Sequence, residues 1–180
     1  MKLLLLRHQK RNNTVDFETS LSNEGIILAA VETSKELEKF AITQIYVSPF
    51  YRVLQTIEPY LLNHPNRKIN VEYSLYEVIG QKMFNEDNYK SEIKEEWVSR
   101  FNVDESYQSF TKINDLVYPE THEIINERVC KFIDWLHHKY DNTDEVILIV
   151  SHQFIIHKIM EYCGQRIPEG GVAMGDIISM

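Results

Sequence analysis

Two unbroken apolar runs, residues 3–6 and 146–150, each lead without a turn residue into a histidine-bearing tripeptide, Arg7-His8-Gln9 and Ser151-His152-Gln153. Short runs without polar alternation predict strands buried on both faces, as in a parallel sheet. Between them the pattern alternates strand and helix. Ser22 is a good N-cap for a helix over 22–40, with Ile26, Ala30, Leu37 and Phe40 near the helical period. Residues 42–47 predict a second buried strand that ends in Ser48-Pro49. Pro49 suits the first turn of a helix carrying Arg52, Leu54, Gln55 and Thr56, which Pro59 is expected to interrupt or kink. Residues 69–73 predict a weaker strand leading into Leu75-Tyr76-Glu77.

In residues 81–112 the texture changes to mixed charges and aromatics. There Tyr89, Ile93, Trp97 and Phe101 sit four apart, as on one helix face. This stretch predicts an insertion capping the sheet, its aromatics either filling a local core or touching a ligand. A helix over 123–140 buries Ile125, Val129, Phe132, Ile133 and Leu136, and Asp141-Asn142-Thr143-Asp144 turns the chain into the second histidine-bearing strand. A helix through Ile155, Ile156, Ile159 and Met160 follows, then a loop at Gly170-Gly171 and a last strand over 176–180. Alternation of this kind predicts an α/β protein with a mainly parallel sheet.

At 180 residues the chain is expected to form a single domain, 1–180, with an insertion at about 81–118. The 43% hydrophobic and 26% charged shares are those of a globular protein. The first apolar run ends too early at Arg7 for a secretory leader, and no run is long enough to span a bilayer, so a cytoplasmic protein without membrane contact is expected. Cys130 and Cys163 belong to no Cys-x-x-Cys pair, which argues for reduced thiols rather than a zinc site. A net charge of −8 argues against a nucleic-acid partner but is compatible with a small phosphorylated ligand in a local cationic pocket. No pattern reports the oligomeric state.

Ligands of open α/β sheets sit beyond the carboxyl ends of the strands, where Arg7, His8, Arg52, Glu77 and His152 all fall. Guanidinium forks match phosphate oxygens, and a neutral imidazole is a competent nucleophile. The set points to phosphoryl transfer through a phosphohistidine.

The same residues resemble the histidine phosphatase superfamily, the phosphoglycerate mutase-like or RHG family. The resembling pieces run in family order: Leu-Leu-Arg7-His8; Leu21-Ser22-Asn23-Glu24-Gly25 with Ala29; Ile45 to Arg52 with Gln55-Thr56; Leu75-Tyr76-Glu77; Glu120-Thr121 with Arg128-Val129; and Ile147 to His152. The resemblance implies a three-layer α/β/α sandwich with the insertion capping the active site. It implies His8 as the nucleophile, Glu77 as general acid and then base, and Arg7, Arg52 and His152 as phosphate ligands. It also implies no metal and no cofactor.

The chain departs from the family pattern where Gln9 and Gln153 stand in place of the usual glycines, and the asparagine that many members carry shortly after the first motif has Asn12 and Asn13 as candidates, followed by Thr14. Gln9, Asn13, Thr14 and Gln153 are therefore expected on the pocket rim. His64 and His122 are expected in loops, His137 and His138 on an exposed helix end, and His157 away from the site.

A metal-independent phosphomonoesterase acting on a small metabolite accounts best for these features. A mutase returning the phosphoryl group, or a weakly catalytic phospho-ligand or protein binder, are the alternatives.

Overall fold

The structure, a computed structural model, describes residues 1–14, 16–80 and 84–180. The start of the expected insertion, 81–83, lies outside the described residues. The strands β1 (Lys2–Arg7), β2 (Gln44–Val47), β3 (Asn70–Val71), β4 (Val146–Ser151) and β5 (Ile177–Ser179) form one sheet in the order β3–β2–β4–β1–β5. The first four are mutually parallel, and β5 pairs antiparallel with β1 at the edge. The helices are α1 (Asn23–Leu28), α2 (Ser34–Leu37), α3 (Tyr51–Asn63), α4 (Glu95–Arg100), α5 (His122–Tyr140) and α6 (Gln153–Tyr162). A π-helical turn, Ala29–Thr33, joins α1 to α2.

Successive residues of a strand point to opposite faces, and the sheet is buried on both. Leu4, Leu6, Ile45, Val47, Leu148 and Val150 pack with Leu37 and the apolar face of α3. Leu3, Leu5, Tyr46, Ile147 and Ile149 pack on the opposite side with α5 and α6. The result is a three-layer α/β/α architecture around a mostly parallel sheet.

The β1–β4 register sets up the site. Leu6 lies opposite Val150 and Arg7 opposite Ser151, and the His8 amide then donates to the Ser151 carbonyl at 3.0 Å. On the other flank of β4, Val47 is opposite Val150 and the Ser48 amide donates to the Val150 carbonyl. Three strands thus end level, presenting His8, Ser48 and His152 side by side.

Several elements depart from the periodicity. Ser22 caps α1 as expected, its hydroxyl accepting from the Gly25 amide, but the buried face is Gly25, Ala29, Thr33 and Leu37. Ile26 and Ala30 are exposed instead. The helix lies so close to the chain after β1 that a β-carbon on Gly25 would come within 1.9 Å of the Lys10 carbonyl oxygen, so the position facing Lys10 has no room for a side chain. Pro49 precedes α3, whose N-cap is Phe50. That helix runs unbroken through Pro59, because the burial of Val53, Leu54, Ile57, Tyr60 and Leu61 outweighs one missing N–H donor.

The aromatic stretch forms only the short α4, with Tyr89 and Ile93 outside it. Upstream, the Asn85 side chain accepts from the amides of Asp87 and Asn88, local bonds that compete with helix. Phe84, Trp97 and Phe101 enter the core, with Trp97 stacked 4.8 Å from Tyr51 and 5.7 Å from Phe17. The weaker strand shrinks to β3 and is followed by a 3-10 turn, Tyr73–Leu75. His122 opens α5 rather than lying in a loop. Among the described residues no helix is long and apolar enough to cross a membrane.

Candidate active site

His8 leaves the end of β1 and is buried. Its Nδ1 lies 2.8 Å from the Gln9 carbonyl oxygen, which can only accept. The proton of the neutral ring therefore sits on Nδ1, and Nε2 keeps its lone pair. Burial, reinforced by the Arg52 charge, holds the His8 pKa down at about 3, so the ring is neutral at physiological pH.

His152, the N-cap residue of α6, lies edge-to-face with His8, the ring centroids 5.4 Å apart. Its Nε2 is 2.9 Å from the Ser48 hydroxyl, and its Nδ1 lies 3.3 Å from Arg52 Nη2 and 3.2 Å from Glu77 Oε2. Because a guanidinium only donates, Nδ1 accepts from Arg52 and the Nε2 proton is directed to Ser48. Burial and the Arg52 charge keep the His152 pKa well below its ordinary value.

Arg52 comes from the first turn of α3 and is 1% exposed. Its guanidinium lies over the Phe50 ring at 4.5 Å, donates from Nη1 to the Asp16 carbonyl at 2.9 Å and reaches Glu77 Oε2 at 3.5 Å. Burial lowers its pKa to about 10, which leaves it charged at neutral pH. Arg7 donates from Nη1 to the Val172 carbonyl at 2.7 Å, and its buried Nε has no partner among the described residues. Glu77 accepts from the Val78 amide through Oε1 and turns Oε2 toward Arg52 and His152. Desolvation raises its pKa above the ordinary carboxylate value despite the Arg52 charge. Two guanidiniums, two neutral imidazoles and one carboxyl with a raised pKa suit an anion that accepts nucleophilic attack.

The two glutamines are accommodated by the segment that follows α6. The Gln9 amide donates to Thr33 Oγ1 at 2.9 Å and lies against Gly175, whereas Gln153 lies against Gly171. Both glycines have φ above +80°, and a β-carbon on either would collide with the facing amide. Asn13 is exposed, and the Thr14 hydroxyl pairs with Thr19 at 3.1 Å. Neither has a side-chain hydrogen bond to the His8–His152 cluster. His157 is tied to this segment, its Nε2 3.2 Å from the Val172 amide nitrogen, while His137 and His138 are exposed on α5.

The sequence pattern assigns no role to four further contributors, three of which, Ser48, Thr56 and Arg128, lie within the family-resembling pieces. Ser48 orients His152, and Thr56 Oγ1 accepts from the Gln9 amide at 3.0 Å. Arg11, three residues past His8, adds a positive charge felt at Arg7, His8, Arg52 and Glu77. Arg128 is a lone charge on the buried stripe of α5, a visible anomaly of pattern.

Sheet, register and cluster together define an α/β protein with a cationic, histidine-bearing site at the carboxyl ends of its central strands. The chain belongs to the histidine phosphatase superfamily: the family model, Histidine phosphatase superfamily (branch 1), matches residues 3–172. Its fold is similar to that of the ecdysone phosphate phosphatase of Bombix mori, at 15% identity and TM-score 0.77, over 99% of this chain and 88% of that one. The alpha-ribazole phosphatase of Shigella flexneri is similar at 21% identity and TM-score 0.67, over 99% and 89% of the two chains. A mycobacterial glucosyl-3-phosphoglycerate phosphatase is similar at 16% identity and TM-score 0.66, over 99% and 88%. No curated protein matches the sequence.

Proposed function

We propose that the protein is a phosphomonoesterase that works through a phosphohistidine on a small phosphorylated metabolite, without a metal ion. The observation that carries this reading is the His8 tautomer. With Nδ1–H bonded to the Gln9 carbonyl, Nε2 of a neutral ring keeps its lone pair, and the ring stands beside His152 and feels the charges of Arg52 and Arg7.

In the first step His8 Nε2 attacks phosphorus, the bond to the leaving oxygen breaks, and Glu77 gives that oxygen its proton. In the second, the Glu77 carboxylate takes a proton from water, the water oxygen bonds to phosphorus, and the P–N bond returns its electron pair to Nε2. Arg7 and Arg52 offset charge on the equatorial oxygens, and His152 joins them in the tautomer that carries Nδ1–H, the Ser48 hydroxyl then donating to Nε2. With one carboxyl against two guanidiniums, the site favours a phosphoryl dianion over a cation. Beside Asp16, a recess of about 330 Å³ lined by Asp16, Phe17, Glu18, Phe84, Asn88 and Ser91 has room for a small organic phosphate. The similar solved structures named as phosphatases of small phosphate esters support the same substrate class.

The test is hydrolysis of 4-nitrophenyl phosphate in excess chelator by wild type and His8→Ala. Chelator-resistant turnover that vanishes in the variant is expected. Turnover that survives His8→Ala, or that needs added metal, overturns the reading. Phosphoryl return to a second acceptor in place of inorganic phosphate release marks a mutase instead.

A further inference from the structure

Glu77 lies just past the 3-10 turn Tyr73–Leu75, on a stretch with no strand or helix to hold it. Among the described residues its carboxyl meets only the adjacent Val78 amide at 3.1 Å, which belongs to the same stretch, Arg52 at 3.5 Å and His152 Nδ1 at 3.2 Å. Something behind the chain must fix where this carboxyl points, because a proton can be delivered only within hydrogen-bond reach of the leaving oxygen. The structure supplies a brace. Arg128, two turns into α5, donates from Nη1 to the carbonyls of Ser74 at 2.8 Å, Tyr76 at 3.1 Å and Tyr73 at 3.3 Å. Its Nε and Nη2 pair with the two oxygens of Glu120 at 2.8 and 2.9 Å, a bidentate fork. Glu120 closes the frame, its Oε2 accepting from the Ile79 amide at 3.0 Å and its own amide donating to the Ile79 carbonyl at 2.9 Å.

The residues immediately before and two after Glu77 are therefore hung on a single ion pair. The pair is desolvated, with side-chain exposures of 5% for Arg128 and 0% for Glu120. Burying both charges is expensive unless each finds its full set of partners, and here the spare donors of Arg128 are used on the backbone that carries Glu77. An ordinary apolar residue in the stripe formed by Ile125, Val129, Phe132 and Ile133 would pack the helix equally well. It would leave the Ser74 and Tyr76 carbonyls without a donor and the Glu77 backbone without an anchor.

Resting on the phosphohistidine reading above, we infer that Arg128 and Glu120 are positioning residues for the general acid. They act on leaving-group protonation through the Glu77 backbone and make no hydrogen bond to His8, Arg52 or His152, although the Arg128 charge is felt at His152. Small displacements of a catalytic group are costly out of proportion to their size, and the effect falls only on the step that needs that group.

The experiment compares 4-nitrophenyl phosphate, whose leaving group needs little protonation, with an alkyl monoester such as glycerol phosphate. Wild type, Arg128→Lys, Glu120→Gln and Glu77→Gln are assayed, each with its thermal melt. Lysine keeps the charge but cannot make the fork and the carbonyl bonds together. Glutamine keeps the volume of Glu120 while removing its charge. In whichever variant folds, turnover of the alkyl ester is expected to fall on the order of 10- to 100-fold, with turnover of the aryl ester changed less than about threefold. In a Glu77→Gln background the same substitution is expected to cost nothing further. Equal losses on both esters, or losses that multiply with Glu77→Gln, overturn the inference and leave the pair a purely structural brace. Failure of the phosphatase reading looks different: wild type itself then shows no His8-dependent turnover of the aryl ester.

Discussion

The side-chain amide of Gln9 occupies the space that a β-carbon on Gly175 would need, with Nε2 only 2.0 Å from that point. The residue that most departs from the family pattern is thus matched by a residue without a side chain 166 positions later (175 − 9). Its amide is spent on Thr33 and on the Lys10 amide, contacts directed to the helical layer.

Replacing Gln9 by glycine tests this. The Thr33 hydroxyl loses its donor and a void opens against Gly175, so Gln9→Gly is expected to destabilise the fold by about 1–3 kcal/mol. KM for an aryl phosphate should stay within about twofold of wild type, since the removed amide faces Thr33. Urea melts and steady-state kinetics check both numbers. A severalfold gain in rate instead would mean that Gln9 restricts the phosphate site.

The pH dependence of stability gives a second check. His8 has a folded pKa of about 3 against an ordinary value of 6.5, so it is a group with a depressed folded pKa. The unfolded chain gains a proton before the folded one, and the stability held above pH 6.5 is lost as pH falls toward 3. At pH 5 the loss from this ring alone is about 2 kcal/mol. His8→Asn is expected to show a correspondingly shallower loss of stability between pH 7 and pH 5 than wild type. Parallel profiles for the two proteins would show that His8 titrates normally.

Much of this geometry was legible in the chain, and the reason is register. Unbroken apolar runs ending in His8 and His152 specify parallel, doubly buried neighbours. Once those pair in phase, the two rings must meet. What periodicity missed is where small residues, not large ones, make the contact. The inner face of α1 and the turn after it is Gly25 and Ala29, with Gly25 resting on the Lys10 backbone, so Ile26 and Ala30, which look like core, are exposed. The fate of Gln9 and Gln153 was equally hidden, because their partners Gly175 and Gly171 are brought near only by the tertiary fold.

Ser48 carries a third prediction. Its hydroxyl is the only side-chain partner of His152 Nε2 among the described residues, and it stands at the end of β2 because Val47 is in register with Val150. Ser48→Ala leaves a buried ring N–H unsatisfied and frees the imidazole to turn. A loss of about 1–3 kcal/mol in stability is expected, with turnover lower on the order of tenfold. Inhibition by inorganic phosphate should weaken in parallel, because in the proposed reaction the same ring meets the phosphoryl oxygens. Unchanged phosphate inhibition would mean that Arg52 and Glu77 alone fix the ring.

Glu72 supports a fourth, at the opposite end of the acid-bearing stretch. It is fully buried just before the 3-10 turn that leads to Glu77, and no cation pairs with it among the described residues. Instead it collects donors. Oε1 accepts from the Ser74 amide at 2.7 Å, the Ser109 hydroxyl at 2.9 Å and the Thr111 amide at 3.3 Å, and Oε2 accepts from the Phe110 amide at 2.8 Å and the Tyr107 hydroxyl. A carboxylate only accepts, so all five bonds form at once. Glutamine has the same shape but must turn an NH2 toward one set. The Tyr107 hydroxyl can rotate to accept from it, but the amide N–H of Phe110 cannot reverse. Glu72→Gln is therefore expected to strand at least one buried N–H and to cost about 1–3 kcal/mol, released first where residues 107–111 dock. Hydrogen exchange at Phe110 and Thr111 should accelerate at least tenfold while the β1 amides keep their protection. Uniform acceleration across the chain would show instead that Glu72 contributes to the whole core rather than tying this one segment down.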